Sequence, residues 1–317
     1  MRFLLREYGD LQLNILDKLT YAGSLCNLEE ALDDNRLCFL EGDICDPLIV
    51  AEAMADAEVV VHLAAETHVD RSIMGGEAAA VTNFLGTQVV LETARQVQPR
   101  LVLHVSTDEV YGACPEGAFT EQAPFRPRNP YSASKAGADH LAYAYHVTYG
   151  LPVVISRPAN NYGPYQYPEK LVPLFVYRAL RDEPLPLYGD GQQVRDWLHV
   201  EDHCRAMRTL IEQGAPGEAY NLAAGNERTN LETVRLILDE LGKPESLIQF
   251  VEDRPGHDVR YAMSGAKMAG LGWRPQVEWE AGMRETVRWM AAHQEWLEQG
   301  IARSRDYFER WYAGRGG

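Results

Sequence analysis

The sequence predicts an α/β protein: a doubly wound parallel sheet with helices on both faces, joined to a smaller, less regular α/β region. Three observations predict it. Short apolar runs recur through the first half, at 13–19 (LNILDKL), 58–65 (EVVVHLAA), 100–106 (RLVLHVS) and 151–157 (LPVVISR). Their unbroken apolar character marks strands buried on both faces. Between them, residues 77–97 and 131–149 carry apolar side chains at helical spacing, and strands alternating with helices imply parallel pairing. Finally, the texture changes from about residue 159, where NNYGPYQYPEKLVP is rich in Asn, Tyr, Gly and Pro.

Taken in chain order, the run 13–19 is a strand reaching its carboxyl end near Asp17, and GDICD (42–46) follows the next strand. The strands at 58–65, 100–106 and 151–157 complete the first sheet with the helices 77–97 and 131–149 packed on it. GEAYNLAAG (217–225) is a strand returning to that sheet, while NLETVRLILDELG and residues 280–311 are helices. The expected domains are therefore 1–158 plus about 198–224, and 159–197 plus 225–317. No internal repeat or low-complexity segment interrupts them.

Composition narrows the function. The chain has 317 residues, 46% hydrophobic, with a formal net charge of −16. That charge argues against nucleic acid or an anionic membrane surface as partner, though a few Arg and Lys gathered in one cleft would still serve an anionic substrate. The five cysteines are odd in number and include no CxxC pair, as expected of reduced thiols and not of a disulfide framework or zinc site. With no signal peptide and no apolar run long enough to cross a bilayer, the expected location is cytoplasmic.

The strand 100–106 ends in Thr107, Asp108 and Glu109, a hydroxyl and two adjacent carboxylates. A buried carboxylate is costly unless it is paired or used. A solvated turn would be the bland account, but ligands of parallel α/β sheets bind outside the carboxyl ends of the strands. Further on, YSASK sets Tyr131 and Lys135 four apart, on one face of a helix. A lysine ammonium beside a phenol favours the phenolate, which makes Tyr131 a usable base. Alone the pair would be two surface neighbours; with the sheet and the Thr-Asp-Glu run it becomes part of a candidate active site. Asp17 adds a third element, since an acidic residue ending the second strand of a dinucleotide fold binds the adenosine ribose, with Asp43 then near the adenine. The alternative for Asp17 is a strand-end turn cap. His199 and His203 are four apart, but HVEDH is not HExxH and no third ligand presents itself, so no metal site is expected. The terminal YFERWYAG reads as a helix packing stripe.

These segments resemble the extended short-chain dehydrogenase/reductase family, and within it the dTDP-glucose 4,6-dehydratases. LDKLTYAG, HLAAETHVDRSI, HVSTDEVYG, NPYSASKAGADHL, NNYGPYQYPEKLVP, VRDWLHVEDH and EDRPGHDVRYA match in the family's order over nearly the whole chain. The resemblance implies a Rossmann-type sheet, NAD as a bound cofactor and dTDP-glucose as substrate. It implies that Tyr131, assisted by Lys135, takes the C4 hydroxyl proton while Thr107 hydrogen-bonds that hydroxyl. Glu109 would then remove the C5 proton, and a protonated Asp108 would protonate the departing C6 hydroxyl. Epimerases and reductases of the family perform no elimination and have no use for the carboxylate pair. For the cofactor, the resemblance implies Asp17, Lys18 and Thr20, then Asp43 and Ile44, then Leu63, Ala64 and Ala65, together with Tyr131 and Lys135. For the substrate it implies Thr67 and Asn160 at the sugar, and Lys170, Leu171, Arg195, Asn230 and Arg254 around the diphosphate and nucleotide. Pro186, Tyr188 and His257 fall at the nucleoside end. A homodimer paired through helices 77–97 and 131–149 is also implied. The competing expectations are a 4,6-dehydratase, epimerase or decarboxylase acting on another nucleotide sugar, and an inactive remnant without NAD.

The departure from the family is at the front. Its first strand and glycine-rich loop, whose amides cradle the NAD pyrophosphate, have no counterpart: the chain opens MRFLLREYGD, like the end of the helix after that loop. In the 3-2-1-4-5-6 order, omitting strand 1 opens a gap of about 9.6 Å, two strand spacings. Each buried backbone group left unpaired there costs about 1–3 kcal/mol. The two expectations are an internal start of a longer enzyme or a degraded homologue, and the full downstream set of catalytic residues favours the former. A smaller departure is Pro158-Ala159 in RPANNYGP, where many relatives carry Cys-Ser.

Overall fold

The computed structural model describes residues 1–313. Two compact units share the chain. The first comprises Met1–Val110, Asn129–Arg157 and Cys204–Tyr220; the second comprises Tyr111–Arg128, Pro158–His203 and the chain from Asn221.

Eleven strands are described: β1 (Leu13–Asp17), β2 (Leu37–Glu41), β3 (Val59–His62), β4 (Leu101–Val105), β5 (Val153–Pro158), β6 (Asn160–Tyr162), β7 (Leu185–Tyr188), β8 (Val194–His199), β9 (Ala219–Leu222), β10 (Glu227–Thr229) and β11 (Ile248–Val251). The main sheet has the order β3-β4-β5-β9. Its β3/β4 and β4/β5 pairs are parallel, and every residue of β4 and β5 is buried. That burial on both faces is why these strands are uninterrupted apolar runs.

β1 and β2 form a separate parallel pair running from Leu13↔Leu37 to Asp17↔Glu41. No ladder joins β1 to β3 among the described residues; the strand that the 3-2-1-4-5-6 order puts between them is not in this chain. Accordingly no residue of β1 is fully buried. The helix Arg2–Glu7 lies against the helix Val200–Gln213: Phe3 is buried, Arg208 Nη1 donates to Glu7 Oε2 at 2.7 Å, and the Tyr8 hydroxyl donates to Glu212.

On the main sheet, helix Thr87–Val97 contributes Val90, Leu91 and Ala94 to a core shared with Val102, Val153, Ile155 and Ala142. The helix Pro130–Tyr149 is capped by Asn129, whose side chain accepts from Ser132 N at 2.8 Å, and Pro130 fits the first turn where an amide hydrogen is dispensable. A π-helical turn, Ala80–Gly86, precedes Thr87–Val97. Two glycines allow close packing here. A Cβ on Gly86 would come 2.5 Å from Ile44, and one on Gly137 would come 2.7 Å from Phe84.

The second unit has its own core, built from Val172, Phe175 and Val176 of helix Leu171–Leu180, Ile237 and Leu238 of helix Asn230–Leu241, and Met283, Val287 and Met290 of helix Trp279–Ala292. Its strands pair as β10-β8-β6 and β11-β7. No helix among the described residues is long and apolar enough to cross a membrane.

Candidate active site

β4 delivers its last residues straight into a turn, Asp108–Tyr111, so Thr107 and Asp108 remain buried at 8% and 4% exposure. Thr107 Oγ1 donates to Asp108 Oδ1 at 3.1 Å and accepts from the Glu109 amide at 3.3 Å. The helix Pro130–Tyr149 brings Tyr131 and Lys135 to the same place, at 7% and 3% exposure. Ser132 ties the two elements together. Its Oγ lies 3.0 Å from both Glu109 Oε2 and Asn129 Oδ1, so its single proton is shared between the candidate base and the helix cap. All five predicted catalytic residues therefore converge within the first unit.

The electrostatics differ from the expectation drawn from the Tyr131–Lys135 spacing. The Lys135 ammonium donates to the Val105 carbonyl at 2.7 Å. Burial pushes the Tyr131 phenol far above its ordinary range; the Glu109 charge adds to this, a hydrogen bond from Thr107 opposes it, and Asp108 adds a little more. The reason is geometric. Four-residue spacing puts both side chains on one helix face, but the strand-end carbonyl competes for the ammonium. Lys135 itself is pulled down to about 8 by burial, with the Asp139 charge working in the opposite direction.

A second network fixes the loop after β3. Asn83 Nδ2 donates to the Glu66 carbonyl at 2.9 Å and to Ser134 Oγ at 2.9 Å, while its Oδ1 accepts from the Glu66 amide at 2.8 Å. This holds Leu63, Ala64, Ala65 and Thr67 beside the helix that carries Tyr131; Leu63 and Thr67 are exposed.

The other predicted cofactor residues gather at the ends of β1 and β2. Asp17 Oδ1 accepts from the Leu19 amide at 2.8 Å, so the carboxylate also caps its own turn. Lys18 Nζ pairs with Asp43 Oδ2 at 2.5 Å, and Asp43 Oδ1 accepts from the Cys45 amide at 2.9 Å. Thr20 is exposed and Ile44 buried beside them. This donor set suits NAD at both its ends: carboxylates for the adenosine hydroxyls, and a buried phenol and ammonium at the nicotinamide side.

In the second unit four of the predicted substrate residues, Arg195, His257, Tyr188 and Arg254, lie together. Arg195 in β8 is 5% exposed; Nη1 donates to the Val194 carbonyl at 2.7 Å and Nη2 lies 2.9 Å from His257 Nε2. His257 Nδ1 is 2.6 Å from Asp253 Oδ1. Burial first, then the charges of Arg254 and Arg195, push this imidazole down to about 4, so a neutral ring accepts from Arg195 and donates to Asp253. Tyr188 ends β7 after Pro186 and meets the His257 ring edge-on at 6.0 Å, with the Arg254 guanidinium 5.9 Å from its own centroid. Lys170 and Leu171 open the helix Leu171–Leu180, and Asn230 opens the helix Asn230–Leu241. Asn160 starts β6 with its Oδ1 buried and without a hydrogen-bond partner.

Some site residues were not singled out by their sequence pattern. Ser132 sits one residue from Tyr131, off the face defined by the four-residue spacing. Tyr261 supports Arg195, whose guanidinium lies 4.4 Å from its ring. Trp311, expected only to pack, donates from Nε1 to the Tyr188 hydroxyl at 2.6 Å. His203 Nδ1 lies 2.9 Å from Asn161 Oδ1, and His199 Nδ1 accepts from the Glu201 amide at 3.2 Å. Among the described residues no group of three His, Cys, Asp or Glu is placed to hold a metal ion.

Known proteins resemble this chain along most of its length. Residues 1–286 match the GDP-mannose 4,6 dehydratase family. The chain is 49% identical over 286 residues to a dTDP-glucose 4,6-dehydratase of Actinoplanes sp., covering 90% of this chain and 89% of that one. It is 43% identical over 332 residues to the dTDP-glucose 4,6-dehydratase of Escherichia coli, covering 94% and 91%. The crystal structure of DesIV, a dTDP-glucose 4,6-dehydratase from Streptomyces venezuelae with NAD bound, superposes with a TM-score of 0.91 at 48% identity, covering 93% of each chain. A buried Thr-Asp-Glu strand end facing a Tyr-Lys helix, on a sheet of this order and with these similarities, places the chain in the GDP-mannose 4,6 dehydratase family.

Proposed function

We propose that this chain is an NAD-dependent dTDP-glucose 4,6-dehydratase, a hydro-lyase that converts dTDP-glucose to dTDP-4-keto-6-deoxyglucose and water. The observation that carries the proposal is the placing of Thr107, Asp108 and Glu109 at the buried end of β4 beside Tyr131 and Lys135. An epimerase needs the hydroxyl, the phenol and the lysine; only an elimination gives the two carboxylates work.

The C5 proton of a plain sugar is too weak an acid to remove, so C4 must first become a ketone. NAD, when bound, accepts the C4 hydride, returns it to C6 and brings a positive charge that favours the Tyr131 phenolate against the burial that opposes it. Tyr131 takes the C4 hydroxyl proton, with Thr107 Oγ1 orienting that hydroxyl. Glu109, oriented by Ser132, takes the C5 proton once the ketone acidifies it and gives a proton back to C5 as hydride adds to C6. Asp108, almost fully buried, supplies the proton that lets the C6 hydroxyl leave as water. Paired carboxylates in opposite protonation states are how one site runs acid and base chemistry together. In the second unit, Arg195, Arg254 and Lys170 suit the diphosphate, with guanidinium groups matching phosphate oxygens, and Tyr188 and His257 suit the nucleoside. Thr67 and Asn160 are assigned to the sugar.

The same proposal includes a homodimer in the cytoplasm. Supporting it, Phe84, Leu85, Tyr143 and Val147 are exposed at 38%, 51%, 55% and 63% on the π-helical turn Ala80–Gly86 and the helix Pro130–Tyr149. Such an apolar surface is what a helix-paired dimer would cover.

The test is to supply dTDP-, UDP-, CDP- and GDP-glucose with NAD and follow loss of one water by mass spectrometry. Dehydration of the dTDP sugar in preference to the others is expected. Preference for another nucleotide would overturn the substrate, and epimerisation without water loss would overturn the reaction.

A further inference from the structure

We infer that Asp139 is the positioning residue for Lys135: one helical turn further on, its buried carboxylate holds the lysine ammonium charged at the sheet end. Residues four apart share a helix face, and both are almost fully buried, Lys135 at 3% and Asp139 at 2% exposure. An ammonium in such surroundings loses its hydration and is driven towards the neutral amine unless a negative charge answers it. The Val105 carbonyl offers a dipole, not a charge.

The carboxylate is itself held in place. Asp139 Oδ2 accepts from Ser106 Oγ at 2.9 Å and from Arg157 Nε at 3.0 Å, a pair in which both side chains are nearly inaccessible. Its Oδ1 is buried and accepts no hydrogen bond, which leaves part of its charge unspent on hydrogen bonding. The arrangement sets one anion among two cations, Lys135 and Arg157.

The groups around this pair do not replace it. From β4 comes His104, and from β3 His62; burial holds both rings far below their ordinary range, so they are neutral. The turn after β4 contributes Glu109, whose charge acts on the Tyr131 phenol, and Asp108, which the proposed reaction uses as an acid. The helix Val69–Met74, packed on the same helix, carries Asp70 and Arg71, a pair of opposite sign. Glu77, Glu92 and Arg95 belong to the helices Glu77–Ala79 and Thr87–Val97, with Glu92 and Arg95 paired to each other at 2.6 Å. The charge that raises Lys135 against its burial is that of Asp139.

The inference deepens the dehydratase reading, because a charged Lys135 is what that reading requires beside Tyr131. Its test does not depend on turnover. The chain has five lysines, Lys18, Lys135, Lys170, Lys243 and Lys267, so lysine labelled with carbon-13 at Cε gives a spectrum in which each titrates separately. In the unsubstituted protein Lys135 should titrate below the ordinary lysine range. In Asp139→Asn its midpoint should fall further, by about one unit or more. Ser106→Ala removes a hydrogen bond but keeps the charge, and should leave the midpoint in place. Arg157→Gln removes the competing cation and should raise it, which also decides the matter if Asp139→Asn does not fold. An unmoved Lys135 in folded Asp139→Asn, or in Arg157→Gln, overturns the inference, as does a fall in Ser106→Ala as large as that in Asp139→Asn. Loss of the dehydratase reading would show separately, as absence of water loss in the unsubstituted protein.

Discussion

The two units hold the charged groups at their candidate sites differently. In the first, Tyr131, Lys135, His62 and His104 are buried with few partners, and burial is the leading cause of every one of their shifts. In the second, two groups, Asp196 and Arg195, are held by several partners each. Asp196 accepts from the amides of Ala224, Gly225 and Asn226, at 2.7, 3.2 and 2.7 Å, and Arg195 is gripped by His257, the Val194 carbonyl and the Tyr261 ring. The difference follows from what each must do. A group that exchanges protons during turnover needs its two protonation states close in free energy, which desolvation achieves at a cost in stability. A group that only recognises a ligand is best held in one state and one rotamer.

The contrast is broken most severely at Tyr131. Tyr131→Phe should lower kcat by about 10²–10⁴-fold, the range of general acid–base contributions, while binding of the nucleotide sugar by calorimetry stays nearly unchanged. A comparable loss of binding would mean that the first unit recognises the nucleotide as well as reacting with the sugar. Glu109→Gln should cost about 10²–10⁴-fold in elimination by the same reasoning. It is read by deuterium: turnover in heavy water labels C5-derived positions in the unsubstituted protein, and Glu109→Gln should lose that label. Substitution in the second unit should act on KM instead. Removing a charge-assisted hydrogen bond is worth about 1.5–3 kcal/mol, so Arg195→Gln should raise KM by about 10–100-fold with kcat changed little. A fall in kcat equal to the rise in KM would place Arg195 in the transition state, and the division between the units would fail.

Much of the first unit was legible because its strands are buried on both faces and its site lies at their ends. β4 and β5 are continuous apolar runs, and Thr107, Asp108 and Glu109 interrupt that pattern where a ligand would sit. What spacing could not reveal was direction. Tyr131 and Lys135 share a helix face as expected, yet the ammonium points to a backbone carbonyl, and carbonyls have no sequence signature. Asp139 was hidden for a related reason: a single Asp in a helix gives no sign that the strand following that helix, β5, will lay Arg157 against it. In the second unit, the proposed recognition site is assembled from single residues on β7, β8 and the loop after β11. Only the resemblance to a known family gathered them, and it passed over Tyr261 and Trp311, whose contacts run through other side chains.

The smallest effect concerns stability and follows from the buried neutral imidazoles. His62 is pushed down to about 3, and His203 and His257 each to about 4, with burial the leading cause in all three. In the unfolded chain each would titrate near its ordinary 6.5. Between pH 6.5 and the lowered values the unfolded state therefore binds more protons than the folded one, and stability must fall as the pH falls through that window. Above pH 6.5 the imidazoles are neutral in both states and contribute no slope. Each contributes at most about 1.4 kcal/mol per pH unit. Melting temperature measured from pH 8 to pH 4 should be flat at first and then decline. His203→Asn, which keeps a polar partner for Asn161 but cannot titrate, should make that decline shallower by one proton's worth. The same slope in His203→Asn as in the unsubstituted protein would mean that His203 takes up its proton in the folded state, and that this part of the second unit is less firmly fixed in one protonation state than its hydrogen bonds imply.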